Sequence, residues 1–267
     1  MPLLQSNGIN IYYEIHGSGA PLVLIPGLGY GGWMWHKMIP GLAEYFQVIS
    51  FDNRGSGQSD KPPGPYTAQM LAADVVGILD EFQMAKAHIM GHSMGGFIAQ
   101  AMAIDYPERV DKLILSATNF GGPRHIPITA EAMAVLTDLS GDPIERLRRG
   151  IVISCAPGFA ERRPDVVEDW INFRIANPID PVGYQAQLAI GLSLIPEAAS
   201  FEHKLEAVSA PTLILFGEHD KVVPPGNAQL LAEKISDAHI EILADAGHFF
   251  PFEMPEEAIS AVTRFLK

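Results

Sequence analysis

The sequence predicts an α/β fold: a mostly parallel, doubly wound sheet of about eight strands, with a block of helices inserted late in the chain. Three observations carry this. Short, largely apolar runs (Leu22-Val23-Leu24-Ile25, Gln47 to Phe51, Ala87 to Met90, Leu113-Ile114-Leu115 and Thr212 to Phe216) have the continuous character of strands covered on both faces. Segments of helical periodicity alternate with them, the rhythm of βαβ crossovers. That rhythm stops at Asn119-Phe120-Gly121-Gly122-Pro123 and resumes at Pro211. The chain therefore divides into a core of residues 1–119 and 206–267 and a helical cap of residues 120–205.

The elements follow in order. Residues 3 to 15 alternate around Asn7-Gly8, a two-residue hairpin signal, with Ile9, Ile11, Tyr13 and Ile15 on one face, so the chain opens on an antiparallel edge. The run Leu22 to Ile25 ends in the glycine-rich loop Pro26 to Gly32, and a helix is expected over about Met34 to Tyr45. Gln47 to Phe51 closes in the polar, turn-rich loop Asp52 to Ser59. Thr67 then caps a helix whose apolar positions are Met70, Leu71, Val75, Ile78, Leu79 and Phe82. Ala87 to Met90 leads into Gly91-His92-Ser93-Met94-Gly95, after which Gly96 to Ala103 reads as a helix. Beyond the cap come the strand Thr212 to Phe216, a helix through Leu230 and Ile235, a strand near His239 to Ile242 and a closing helix from Pro255 to Leu266.

At 267 residues and 29.0 kDa the chain can bury one sizeable core. A net charge of −13 argues against a nucleic-acid surface and would repel anionic membranes. Cys155 is the only cysteine, which excludes an internal disulfide and a thiolate metal cluster; it reads as a small buried apolar residue. The first eight residues lack a basic segment and a following apolar core, and no window approaches eighteen uninterrupted apolar residues. A cytoplasmic protein, neither secreted nor membrane-spanning, is expected. Between residues 120 and 200 every lysine or arginine position is arginine, balanced by acids, so most of these are expected to be solvated or paired. No His-Glu-x-x-His or comparable spacing occurs, so no metal is expected. A homo-oligomer is left open.

The chemistry converges on Ser93. A serine between two glycines, after a strand and before a helix, is presented on a sharp turn at the carboxyl end of a sheet. Its hydroxyl needs a base and a third group to orient that base. Asp220 follows one late strand in Gly217-Glu218-His219-Asp220, and His248 follows the next in Ala244-Asp245-Ala246-Gly247-His248. Both loops belong to the edge that presents Ser93. Glu218 competes with Asp220; His219 and His203 compete with His248 but lack its strand-then-Gly-His setting. His92 points the wrong way to reach its neighbour's hydroxyl. The N–H groups of Met94 and Leu28 are the candidates to hold an oxyanion. Tyr30, Trp35, Phe120, Val222 and Phe249 are candidate pocket walls, and Arg124 is the candidate cation for an anionic substrate.

Pro26-Gly27-Leu28-Gly29, Asp52 to Ser59, Gly91 to Gly96, Gly217 to Asp220 and Gly247-His248 occur in the order of the α/β-hydrolase superfamily, which the chain resembles over nearly its whole length. Within it, the chain is similar to the cofactor-free group of 3-oxoadipate enol-lactonases, non-haem haloperoxidase-type esterases and small carboxylesterases. It departs from them at Pro26, where relatives usually carry His. The resemblance implies an α/β-hydrolase fold with a helical cap, Ser93, Asp220 and His248 as catalytic triad, Leu28 and Met94 at the oxyanion hole, and no cofactor. It implies a small-molecule ester or lactone as substrate. Relatives that open epoxides or displace halide carry aspartate in the elbow, so Ser93 points away from both. Carbon–carbon bond hydrolysis, perhydrolysis and a ligand-sensing role on the same fold are the alternatives.

Overall fold

The computed structural model describes residues 2–267. Eight strands form one sheet: β1 (Leu3–Ser6), β2 (Ile9–His16), β3 (Ala20–Ile25), β4 (Phe46–Phe51), β5 (Ala87–His92), β6 (Val110–Ser116), β7 (Thr212–Gly217) and β8 (Ala238–Leu243). Their order is β1-β2-β4-β3-β5-β6-β7-β8, with β1/β2 and β2/β4 antiparallel and the other neighbours parallel. The β1–β2 turn is Asn7-Gly8, with φ of 47° and 74°. Both values are positive, as the tight hairpin turn that matches strand twist requires.

Before the insertion lie α1 (Ile39–Leu42), α2 (Ala68–Glu81) and α3 (Met94–Asp105). Between β6 and β7 come α4 (Ala130–Thr137), α5 (Pro143–Ser154), α6 (Phe159–Arg162), α7 (Pro164–Ala176) and α8 (Pro181–Ser193), with no strand among them. After β7 follow α9 (Gly226–Ala232), α10 (Phe250–Glu253) and α11 (Pro255–Leu266). No helix of the described residues is long and apolar enough to cross a membrane.

The apolar strands are continuous because each feeds two cores. Val23 and Ile25 pack on the side of α2 and α3 with Leu71, Val75, Ile98 and Met102, while Leu22 and Leu24 pack on the side of α1 and α11 with Leu42, Ala258 and Val262. Thr67 caps α2 by accepting from the Met70 N–H at 3.2 Å. Leu71, Val75, Ile78 and Leu79 are buried as the periodicity requires, but Met70 stands off the stripe at 41% exposure.

The expected helix over Met34 to Tyr45 is instead a 3₁₀ turn, Gly32–Trp35, followed by the single turn α1. Pro40 is the reason. It supplies no N–H to bond an earlier carbonyl and biases the residue before it away from helical geometry. Gly41 next to it lets α1 meet α11, since a Cβ there would lie 2.9 Å from Ile259.

Candidate active site

β5 runs directly into α3, and Ser93 is the hinge between them at φ 55° and ψ −118°. A side chain at positive φ is strained and persists only when its surroundings hold it. Here the Ser93 N–H donates to Ser116 O at 2.8 Å, and the Ser93 carbonyl accepts from the Gly96 N–H and from Thr118 Oγ1, each at 2.9 Å. The flanking glycines are sterically required. A Cβ at Gly91 would strike the Gly95 carbonyl, and one at Gly95 would strike the Ile25 carbonyl at the end of β3.

The loops after β7 and β8 meet beside this hinge. His219 N–H donates to Ala246 O at 2.8 Å. His248 Nδ1 and Asp220 Oδ2 are 2.7 Å apart, with both residues buried. The other oxygen, Oδ1, accepts from the N–H groups of Val222 and Val223, each at 2.8 Å. Asp220 thus has no spare donor to offer, so it is the imidazole that carries the proton on Nδ1, leaving Nε2 as an acceptor. His248 is also held through its backbone, whose N–H donates to Ser154 O at 2.7 Å at the end of α5.

Beneath it sits Glu253 of α10, only 7% exposed. Its carboxylate accepts from the Ala156 N–H at 2.7 Å and from the Gly247 N–H at 3.1 and 3.2 Å. Burial, with the nearby Asp220 charge adding to it, outweighs these bonds and raises the Glu253 pKa to about 7.

Ser93 lies where two cavities meet. The larger, about 720 Å³, has His248, Leu28, Tyr30, Tyr184, Val222, Phe249, Arg146 and Arg174 in its wall; the smaller, about 150 Å³, has Leu28, Met94, Phe97 and Gln187. The larger falls in the ordinary range for small-molecule sites. The β3–α1 loop lies against the serine, since a Cβ built on Gly27 would be 3.4 Å from Ser93 Cβ. Among the described residues, neither the Leu28 N–H nor the Met94 N–H has an acceptor. Gly29, one residue on, is gripped at both ends. Its N–H donates to Gln187 Oε1 at 2.9 Å, and its carbonyl accepts from Arg174 Nη1 at 2.6 Å. Gln187 is wholly buried and also donates to Arg54 O at 2.7 Å.

Tyr30, Val222 and Phe249 therefore line the larger cavity, and Leu28 and Met94 stand beside Ser93. Three sequence-based expectations need correction. Trp35 is fully buried among Leu22, Leu24 and Met38 and is not part of the cavity wall. Phe120 belongs to the main core. Arg124 is exposed and pairs with Glu202 at 2.6 Å and Glu233 at 3.9 Å. The left-handed pair Gly121-Gly122 turns the chain there toward α9, where the Ile126 N–H meets Asn227 Oδ1 at 2.9 Å. His92 points inward, its Nδ1 2.8 Å from Ser116 Oγ, and burial pushes its pKa well below the usual histidine range. Glu218, His219 and His203 are all solvent-exposed. Arg174, Gln187 and Glu253 were not singled out from sequence.

Comparison with known proteins gives the family. A family profile described as "alpha/beta hydrolase fold" matches residues 20–255. A 2-hydroxy-6-oxononadienedioate/2-hydroxy-6-oxononatrienedioate hydrolase of Pseudomonas putida is 30% identical over 97% of this chain and 92% of its own. The enol-lactonase of Burkholderia xenovorans LB400 superposes with a TM-score of 0.82 at 27% identity, covering 99% of both chains. A meta-cleavage product hydrolase of Pseudomonas fluorescens IP01 superposes with a TM-score of 0.84 at 27% identity over 100% of this chain and 97% of its own. With the sheet order, the strained serine between β5 and α3 and this match over most of the chain, the protein belongs to the α/β-hydrolase fold family.

Proposed function

We propose that the protein is a serine hydrolase of carboxylic esters or lactones. The observation that carries this reading is the buried Asp220–His248 pair, whose free Nε2 belongs to the same cavity wall as the strained Ser93. His248 Nε2 takes the Ser93 proton as Oγ attacks the carbonyl carbon, and Asp220 stabilises the imidazolium that forms. Charge then collects on the former carbonyl oxygen. The unpartnered N–H groups of Leu28 and Met94 receive it, the second aided by the positive end of α3; one such donor contributes about 3 kcal/mol of barrier lowering. The imidazolium protonates the leaving oxygen, an acyl-serine remains, and water activated by the same histidine releases the acid. Residues 120–205 form the cap over this chemistry.

A second reading has one specific support. The P. putida relative, at 30% identity, is named for hydrolysis of an oxo-dienedioate, so the same residues fit cleavage of a carbon–carbon bond beside a ketone. Rates on p-nitrophenyl esters from acetate to dodecanoate, with wild type and Ser93→Ala side by side, test the first reading; a vinylogous diketone tests the second. Short-chain turnover falling on the order of 10³-fold or more in Ser93→Ala, together with fluorophosphonate labelling of Ser93, is the expected result. Ester turnover that survives the substitution overturns it.

A further inference from the structure

We infer that β8 is an interface between two copies of this chain, which pair edge to edge and antiparallel with the two-fold axis at Ile240. This pairing is independent of the serine-hydrolase reading and uses none of its residues.

The sheet order puts β8 at one end, with β7 its only neighbour. Every residue from Ala238 to Leu243 is in register with β7, with no bulge to turn the strand away from a partner. Along a strand, successive residues turn their N–H and C=O groups to opposite edges. Asp237 O and Leu243 O accept from the Thr212 and Glu218 N–H groups at 2.8 and 3.0 Å, so the odd-numbered residues bond β7. Ala238, Ile240 and Ile242 therefore aim their backbone groups outward, where no protein group among the described residues meets them. Open edges of this kind are normally guarded by lysine, proline, a bulge or a covering segment. β8 contains neither lysine nor proline, and Ile240 and Ile242 are each 41% exposed. At the other end of the sheet β1 has only four residues and follows directly on Pro2.

The side chains select one register and one partner. With the axis at Ile240, that residue meets Ile240 of the second copy, and on either side Ala238 meets Ile242. Each of these facing pairs exchanges two N–H···O=C bonds, and their apolar side chains share one face. On the other face His239 of each copy stands opposite Glu241 of the other, an N–H donor against a carboxylate. Moving the axis by one residue, to His239 or Glu241, sets two imidazoles or two carboxylates directly opposite and loses an outward-facing pair. Moving it by two leaves one such pair. Arg264 of α11 already pairs with Glu241 at 2.6 Å, which offsets part of the like charge that two copies at −13 bring together. A strand that complements itself is what an isologous contact requires, and because pairing consumes β8 in both copies, association stops at two. A single strand pair is a small contact, so the dimer is expected to be reversible.

Sedimentation velocity of the full chain over an approximately hundredfold dilution series tests this. Wild type is expected to pass from a species of twice 29.0 kDa toward monomer on dilution. Ile240→Lys and Ile240→Glu each set like charges on the axis and should be monomers throughout. Mixed in equal amounts they should recover the dimer, because lysine then faces glutamate. Position 240 is exposed and its N–H faces away from β7, so far-UV circular dichroism of both variants should match wild type. His239→Glu changes only a solvent-exposed side chain, yet sets carboxylate against carboxylate and should weaken the dimer about tenfold. Any of four results overturns the inference: a wild type that is monomeric at the highest concentration, a dimer that persists in both charged variants, charged variants that stay monomeric when mixed, or a His239→Glu dimer of unchanged affinity.

Discussion

Glu253→Gln should make the protein less sensitive to alkaline pH. Glu253 lies under the Gly247-His248 turn, and burial moves its carboxyl from an ordinary 4.5 to about 7. The folded state therefore keeps a proton that the unfolded chain has already released between those values. Its contribution to stability is complete below pH 4.5 and is lost as pH rises through about 7, because unfolding then relieves a buried negative charge. A shift of this size amounts to about 3 kcal/mol in full, of which about 2.5 kcal/mol falls between pH 5 and pH 9. Glutamine keeps an oxygen that can accept from the Ala156 and Gly247 N–H groups but cannot ionise. Urea unfolding of wild type and Glu253→Gln, followed by tryptophan fluorescence at unit steps from pH 5 to pH 9, isolates the group in the difference between the two curves. That difference should swing toward the variant by about 2.5 kcal/mol across the range. A difference constant to within about 0.5 kcal/mol, smaller than half a pKa shift of one unit, would falsify the assignment of a raised carboxyl to this site.

Two further substitutions test the supports of the site. Gln187→Leu removes both the acceptor of the Gly29 N–H and the donor to Arg54 O, so the loop carrying Leu28 loses its register against Ser93. An approximately tenfold or larger fall in ester kcat is expected with KM nearly unchanged, and a boronic acid inhibitor should weaken in parallel with kcat/KM; unchanged boronate affinity would refute the link. Asp74→Ala strands the buried Arg54 guanidinium, which now donates to that carboxylate through Nε at 2.6 Å and Nη2 at 2.5 Å. Loss of about 3–5 kcal/mol in urea unfolding is expected, with part regained in Asp74→Ala/Arg54→Met, where no charge is left unpaired.

What could be read from the sequence was whatever local chemistry enforces. Asn7-Gly8 dictates its turn because few other pairs accept two positive φ values, and Gly91 and Gly95 dictate the bend at Ser93 because a Cβ at either strikes backbone. Loop residues directly after apolar strands, such as Asp220 and His248, are placed by the topology of a parallel sheet. The wall residues were legible only in part. Trp35 and Phe120 look like pocket aromatics by their nearness to motifs, yet which side of the sheet each enters depends on turns at Gly32–Trp35 and at Gly121-Gly122 that set no periodicity. Arg174 and Gln187 reach Gly29 across 145 and 158 residues of chain. Seven arginines between residues 120 and 200 look alike in sequence; only the packing of α7 distinguishes the one buried without a carboxylate.

That same packing makes the inserted helices part of the candidate site. Ser154, the last residue of α5, supplies the carbonyl that holds the His248 and Phe249 N–H groups, at 2.7 and 3.3 Å. On the opposite wall, α7 and α8 supply Arg174 and Gln187, which fix both peptide groups flanking Gly29. α8 is itself seated on the core, with Gly183 against the Gly55 backbone and the Tyr66 N–H bonded to Ala186 O at 3.1 Å. The sheet alone brings Ser93, Asp220 and His248 to one edge. It leaves the loop that offers the Leu28 N–H without its grip and the histidine turn without its backbone acceptor, and hydrogen bonds of this kind hold a site only when every partner is present. The insertion thus acts on both the His248 turn and the loop that carries Leu28, and a change in its packing at α5 or α8 is transmitted to both through single, identifiable hydrogen bonds.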